Sequence, residues 1–189
     1  MLTNRNKILG KNHIDTLYSM HYLGVLREEI GDLQSAEYLQ SNALLGRVRT
    51  LGVAHVESLQ SVNRLGNLLE KMGNHAALEK VFSDYLRKVD AELGETHELA
   101  LQNVNYLAHL KNKHGKIVQA LSLLRKRAAF SPSALDAVRY NLACYECLDG
   151  NTEKAKRLVM EHLSLHPEMK PQALNDGDFS AIKDYIASL

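Results

Sequence analysis

The sequence predicts an all-α protein built from repeated helix pairs, and three observations carry that prediction. The first is an internal repeat. Leu9-Gly10, Leu51-Gly52 and Leu93-Gly94 stand 42 residues apart, as do His13, His55 and His97, and Leu17, Leu59 and Leu101. The second is the apolar spacing inside a unit. Leu101, Val104, Leu107, Ala108 and Leu110 recur every three or four residues up to Gly115, after which Val118, Leu121 and Leu124 resume the pattern. The third is composition: 32 of 189 residues are Leu, and the three prolines are Pro132, Pro167 and Pro171. Leu favours helix and Pro breaks it, so strands are not expected.

The elements follow from that frame. Leu23-Gly24, Leu65-Gly66 and Leu107-Ala108 again lie 42 apart, then Gly31, Gly73 and Gly115, then Ala36, Leu78 and Ala120. A fourth unit comes at a step of 35, with Leu142-Ala143, Gly150 and Ala155, so seven residues have been dropped before it. Gly31, Gly73, Gly115 and Gly150 stand where each first helix must stop, in the left-handed conformation of a helix C-terminus. Asp32, Asn74 and Asn151 are suited to cap the helix that follows, whereas Lys116 is not. The spacing predicts first helices over 13–29, 55–72, 97–113 and 133–148, second helices over 33–50, 75–92, 117–129 and 152–164, and a last short helix over 178–188.

Charge and targeting narrow the function classes. Lys plus Arg number 23 and Asp plus Glu 22, a net charge of +1, so no global field draws the chain to nucleic acid or anionic lipid. The first residues are polar and no stretch approaches the roughly 20 apolar residues of a membrane span, so a soluble, cytoplasmic protein is expected. Cys144 and Cys147 are three apart on one helix, which is no disulfide framework and fits a reducing compartment.

Small residues at the helix crossings, Gly24 with Ala36, Ala108 with Ala120 and Ala143 with Ala155, make a pattern that resembles the tetratricopeptide repeat. The resemblance is strongest in the fourth unit, where Asn141-Leu142-Ala143, Gly150-Asn151, Ala155 and His166-Pro167 reproduce the family's spacing. The 42-residue units, with Leu-Gly, two residues, His and later Leu-Gly or Leu-Ala, look like the longer form found in kinesin light chains. The family's aromatic positions in the first helix hold Met20, Val62, Val104 and Arg139, and Arg27, Leu69, Lys111 and Glu146. The resemblance implies a right-handed α-solenoid of helix-turn-helix repeats with a C-terminal capping helix. The whole chain, 1–189, would be one domain, with repeats near 11–52, 53–94, 95–131 and 132–167 and a cap over 168–189 carrying Phe179, Ile182 and Tyr185. Leu9-Gly10 looks like the end of a preceding unit.

The resemblance also places a concave groove on the first helices. It implies that Tyr18, His21, Val25 and Glu28 point inward in the first unit, and Gln60, Asn63, Asn67 and Glu70 in the second. Gln102, Asn105, His109 and Asn112 follow in the third, then Ala137, Tyr140, Cys144 and Cys147 in the fourth. A floor of Asn and Gln offers both donors and acceptors to the backbone of an extended peptide, with Asn63, Asn67 and Asn105 as the leading contacts. The alternative is an ordinary solvated polar face. Lys71, Lys113 and His109 would favour a peptide bearing a carboxylate, but the family's carboxylate clamp is not supported, since His21 and Val25 stand opposite Arg64 and Lys71.

Other signals are weaker. Cys144-Tyr145-Glu146-Cys147 has the spacing of a thiol or zinc site without a second pair, and the three histidines at 42-residue steps are expected to pack or cap rather than bind metal. Arg125-Lys126-Arg127 reads as a solvated outer face. Without a Gly-rich phosphate loop, a His-Glu-x-x-His or a Gly-x-Ser-x-Gly, no enzyme and no cofactor or metal are expected. The expected function is a protein-interaction module that takes a partner peptide or helix in its groove. The competing expectation is a structural scaffold, or a homodimer formed through the uncovered first helix around Leu17, Met20 and Leu23.

Overall fold

A computed structural model describes Leu2 to Leu189, and among these residues all regular structure is helical. The chain divides into two compact units, Met1–Glu92 and Leu93–Leu189.

The first unit contains α1 (Leu2–Leu9), α2 (Ile14–Glu29), α3 (Leu33–Leu51) and α4 (Val56–Lys71), and α5 (His75–Leu93) runs to its end. The bounds of α2 to α5 lie within one residue of those read from the spacing. Their starts and stops have local causes. His13 and His55 hold extended backbone, and each ring Nδ1 accepts the backbone N–H two residues on, from Asp15 and Glu57, at 3.2 Å. The regular histidines are therefore N-caps, which satisfy amides the helix cannot. At the other end of α2, Gly31 takes φ +83° and lets the Asp32 N–H reach back to the Arg27 carbonyl at 2.9 Å. Asp32 then accepts from Ser35, and Asn74 from Ala77, both at 3.2 Å.

Close helix approaches depend on missing side chains. A Cβ on Gly46 of α3 would lie 2.2 Å from Leu17 Cδ2, and one on Gly66 of α4 would lie 2.8 Å from the Phe82 ring. Leu17, expected at an uncovered surface, is instead 1 % exposed, because α3 packs across it through Gly46. The linker between the two helix pairs is tied down from α5: the Tyr85 hydroxyl donates to the Val53 carbonyl at 2.6 Å and the Val53 N–H donates to Glu92 Oε2 at 3.2 Å. Burial pushes the Tyr85 phenol up to about 12.

The second unit contains α6 (Glu98–Lys113), α7 (Ile117–Ala128), α8 (Pro132–Leu148) and α9 (Thr152–Leu165). A 3-10 turn (Pro167–Met169), α10 (Lys170–Asn175), a second 3-10 turn (Gly177–Ile182) and α11 (Lys183–Ser188) complete it. His97 caps α6 as its two counterparts do, accepting from the Leu99 N–H at 3.1 Å. Asn151 does not cap α9. Its side-chain amide nitrogen donates to Glu146 Oε2 and Asp149 Oδ2, both at 3.1 Å, which turns the side chain toward these carboxylates.

The basic run is divided: Arg125 and Lys126 are exposed as expected, although Arg125 grips Glu146 with Nε at 2.8 Å and Nη2 at 2.6 Å, whereas Arg127 is 4 % exposed and donates to the Glu95 carbonyl. Glu146, at one of the family's aromatic positions, also holds Lys154 at 2.7 Å and so joins α7, α8 and α9. Burial alone would raise its pKa, but the hydrogen bonds from Arg125 and Lys154 prevail and hold it below the ordinary range.

The C-terminal tail differs from the single helix expected over 178–188. Asp176 Oδ1 accepts the Asp178 N–H at 3.0 Å and starts a 3-10 turn, α-helix resumes only at Lys183, and α10 precedes it. The tail lies on α8 and α9 with Phe179, Ile182 and Ile186 buried, which supplies the cover anticipated for the last helix pair. No helix among the described residues is long and apolar enough to cross a membrane.

Candidate functional site

The two units present different surfaces at the positions singled out above. In the first unit, α4 places Gln60, Asn63, Asn67 and Lys71 at steps of three, four and four, and all four are exposed. Its opposite side is deeply buried through Val62, Leu65, Leu68 and Leu69, so the polar row has no choice but to face outward. Gln60, Asn63 and Asn67 make no side-chain hydrogen bond among the described residues, and their donors and acceptors are free for a ligand.

Tyr18 and His21 of α2 are committed elsewhere. The Tyr18 hydroxyl donates to Glu57 Oε1 at 2.9 Å, and its ring lies 5.0 Å below the guanidinium of Arg47. Arg47 is fully buried, 3.0 Å from Glu57 Oε2 and donating to Ser61 Oγ at 2.8 Å. The bond to Glu57 raises the Tyr18 phenol above its usual value. His21 donates from Nδ1 to Gln40 Oε1 at 3.0 Å, and the same buried amide donates to the His21 carbonyl at 3.1 Å. Burial, reinforced by Arg47, lowers the His21 pKa and keeps the ring neutral. These residues fasten α2 to α3 and α4. Sequence spacing gave no sign of this, since Gln40, Arg47 and Glu57 lie on other elements.

Arg64 and Lys71 are also occupied. Glu28 sits 3.2 Å from Arg64 and 3.5 Å from Lys71, so a side chain of α2 already fills the place a peptide carboxylate would take.

In the second unit, Asn105 is a packing residue. Its Nδ2 donates to the Ala137 carbonyl at 2.9 Å and its Oδ1 accepts from Asn141 at 3.0 Å, joining α6 to α8. Gln102 donates to Glu98 one turn earlier at 2.9 Å. His109 is exposed and Asn112 half-buried. Tyr140 lies under the tail, donating to Asp176 Oδ2 at 2.8 Å with its ring edge-on to Phe179 at 5.5 Å.

Cys144 and Cys147 are both buried. Burial, with Asp176 and Asp178 adding to it, drives the Cys144 thiol far above its ordinary value, and burial raises Cys147 too. Reactive and ligating cysteines need the thiolate, so this environment opposes both roles. Asp178 is itself raised, by burial and by Asp176 beside it.

A second apolar feature belongs to the first unit. Tyr22 and Leu26 of α2 and Ile30 just past its end stand about one turn apart and are 62 %, 57 % and 73 % exposed. Tyr22 and Leu26, with Leu2, Tyr18 and Leu23, line an open groove of about 470 Å³ between α1 and α2.

Among solved structures the chain is similar to the nearly identical TPR-like repeats of a Podosopora anserina protein described as a kinesin light chain. The identity is 20 %, with 89 % of this chain and 83 % of that one covered at a TM-score of 0.63. The chain has a TPR-like fold. A substituted form of the same repeats gives 21 % identity, 90 % and 83 % coverage and a TM-score of 0.61. BtubC (BKLC) from P. vanneervenii gives 16 %, 82 % and 64 %, and 0.58. No protein-family model and no curated protein matches the sequence. At these identities the likeness concerns the fold alone.

Proposed function

We propose that this chain is a cytoplasmic protein-interaction module whose α4 face binds an extended peptide. The observation that supports this most directly is the row of exposed, unpartnered amides Gln60, Asn63 and Asn67 on a helix anchored rigidly from behind. Side-chain amides can pair with the N–H and C=O groups of an extended backbone, giving affinity with little demand on the partner's side chains. Lys71 extends the row, and Glu28 supplies an internal carboxylate that an acidic partner residue would replace. Gln102, His109 and Asn112 form the corresponding candidates of the second unit, whereas Tyr18, His21, Asn105 and Tyr140 serve as supports. The protein carries out no catalysis in this reading.

The test is selection of extended peptides from a displayed random library, followed by titration against the Asn63→Ala, Asn67→Ala double variant. Selected peptides should bind the wild type and weaken about tenfold or more on the double variant, with the melting temperature unchanged, since two or three hydrogen bonds of about 1 kcal/mol are lost. Equal binding to both proteins rejects the α4 face.

A second reading rests on Tyr22, Leu26 and Ile30: association of two copies through this apolar row along α2 and its C-terminal end. A mass that rises with concentration in sedimentation, and falls to the monomer value in Leu26→Glu, supports it. A monomer at all concentrations removes it.

A further inference from the structure

We infer that Asp136, His162 and His166 form a binding site for one divalent transition-metal ion, zinc being the leading candidate. Their ligand atoms all lie within 4.8 Å of one another, where the end of α9 meets α8. Zinc bonds of about 2.0–2.1 Å set the ligand atoms of a tetrahedron about 3.3 Å apart, so a modest inward rotation of the half-exposed His166 and Asp136 closes the set.

The decisive residue is His162. It is 8 % exposed, and neither ring nitrogen has a hydrogen-bond partner. A buried imidazole normally bonds something, since a polar group taken out of water without a partner is destabilising. The repeat explains why it has none here. Tyr85 and Arg127 occupy the same position in their units, 42 residues apart, and each donates to a linker carbonyl, that of Val53 or Glu95. His162 follows Arg127 by 35 residues, and the helix before its unit, α7, is seven residues shorter than α5. No linker carbonyl pairs with its ring, and what lies beside it is His166 at 4.7 Å between centroids.

The other ligands are arranged to suit a cation. His162 stands in the last turn of α9 and His166 caps its C-terminus, and the partial negative charge of a helix C-terminus favours a positive ion. Asp136 Oδ1 is held by Arg139 at 2.7 Å, and its Oδ2 stays turned toward His166 Nε2 at 3.8 Å. Glu168 Oε1 lies 3.7 Å from His166 Nδ1, within reach of the second ring nitrogen that carboxylates commonly steer in ligating histidines. A bound ion would clip α8 and α9 to the turn that begins the C-terminal tail.

The test uses the full chain, titrated with zinc chloride by calorimetry and with cobalt(II) by visible absorption, beside Asp136→Asn and His166→Ala, two variants at partly exposed positions. One equivalent of zinc should bind, raise the melting temperature, and give cobalt a ligand-field spectrum of a nitrogen and oxygen site. Each variant should keep its helical circular dichroism and lose tenfold or more in affinity. No binding, or equal binding by wild type and both variants, overturns the assignment.

Discussion

Tyr85 and Arg127, 42 residues apart in sequence, perform the same task with different chemistry: each crosses from a second helix to donate a hydrogen bond to the carbonyl of the preceding linker, at Val53 and at Glu95. The repeat preserves a position and a need, not a residue type. That need arises because a linker folded back against helices has backbone carbonyls that water no longer reaches.

Tyr85→Phe should therefore cost about 1–2 kcal/mol in urea unfolding, since it keeps the ring and leaves a buried carbonyl without its donor. Arg127→Met should cost more, about 2–3 kcal/mol, because the lost bond is charge-assisted and Glu95, 3.6 Å away, loses its cation. If Tyr85→Phe unfolds at the wild-type midpoint, the linker carbonyl is not held by this bond.

Glu146→Gln tests the buried carboxylate that joins three helices. Glu146 has a folded-state pKa below its unfolded value, so its contribution is present above the ordinary carboxylate range and is lost as pH falls through the lower, folded value. The variant should be less stable than wild type at neutral pH, and the difference should shrink on acidification below pH ~4. A difference independent of pH would assign the loss to packing rather than to charge.

Asp178 runs the other way. Burial and Asp176 raise its pKa, so the favourable contribution belongs to the protonated form: it is complete below the unfolded value and is lost as pH rises through the folded one. Asp178→Asn should melt higher than wild type at neutral pH and converge with it in acid, as followed by circular dichroism.

How much of this was legible in the sequence depends on how local each feature is. The ends of α2 to α6 could be read to within a residue because a glycine at positive φ and an N-capping residue act within four residues of themselves. The tail was less legible. Its 3-10 turn and α10 answer to Asp176 and to the surface of α8, and helical spacing reports neither. Asn63 and Asn105 look alike in the repeat, yet Asn105 is used up by Ala137 and Asn141 on another helix, while Asn63 is left exposed. Burial patterns follow from periodicity, but which polar residues have partners depends on side chains distant in sequence.

That contrast between the asparagines yields the last prediction. Asn105→Ala removes the donor to the Ala137 carbonyl and the acceptor for Asn141, so it should lower stability by about 1–2 kcal/mol in denaturant unfolding. Asn63→Ala and Asn67→Ala remove no intramolecular bond and lie on an exposed face, so each should leave the midpoint within about 0.5 kcal/mol of wild type. Ala also has the higher helix propensity, which biases the small change toward stabilisation. A residue kept at a stability-neutral, exposed helix position is free to serve a ligand, and the peptide titration then reads that service without interference from folding. Should Asn63→Ala and Asn67→Ala destabilise the protein as much as Asn105→Ala, the α4 amides would be structural too, and the apolar row of Tyr22, Leu26 and Ile30 would become the leading interaction surface.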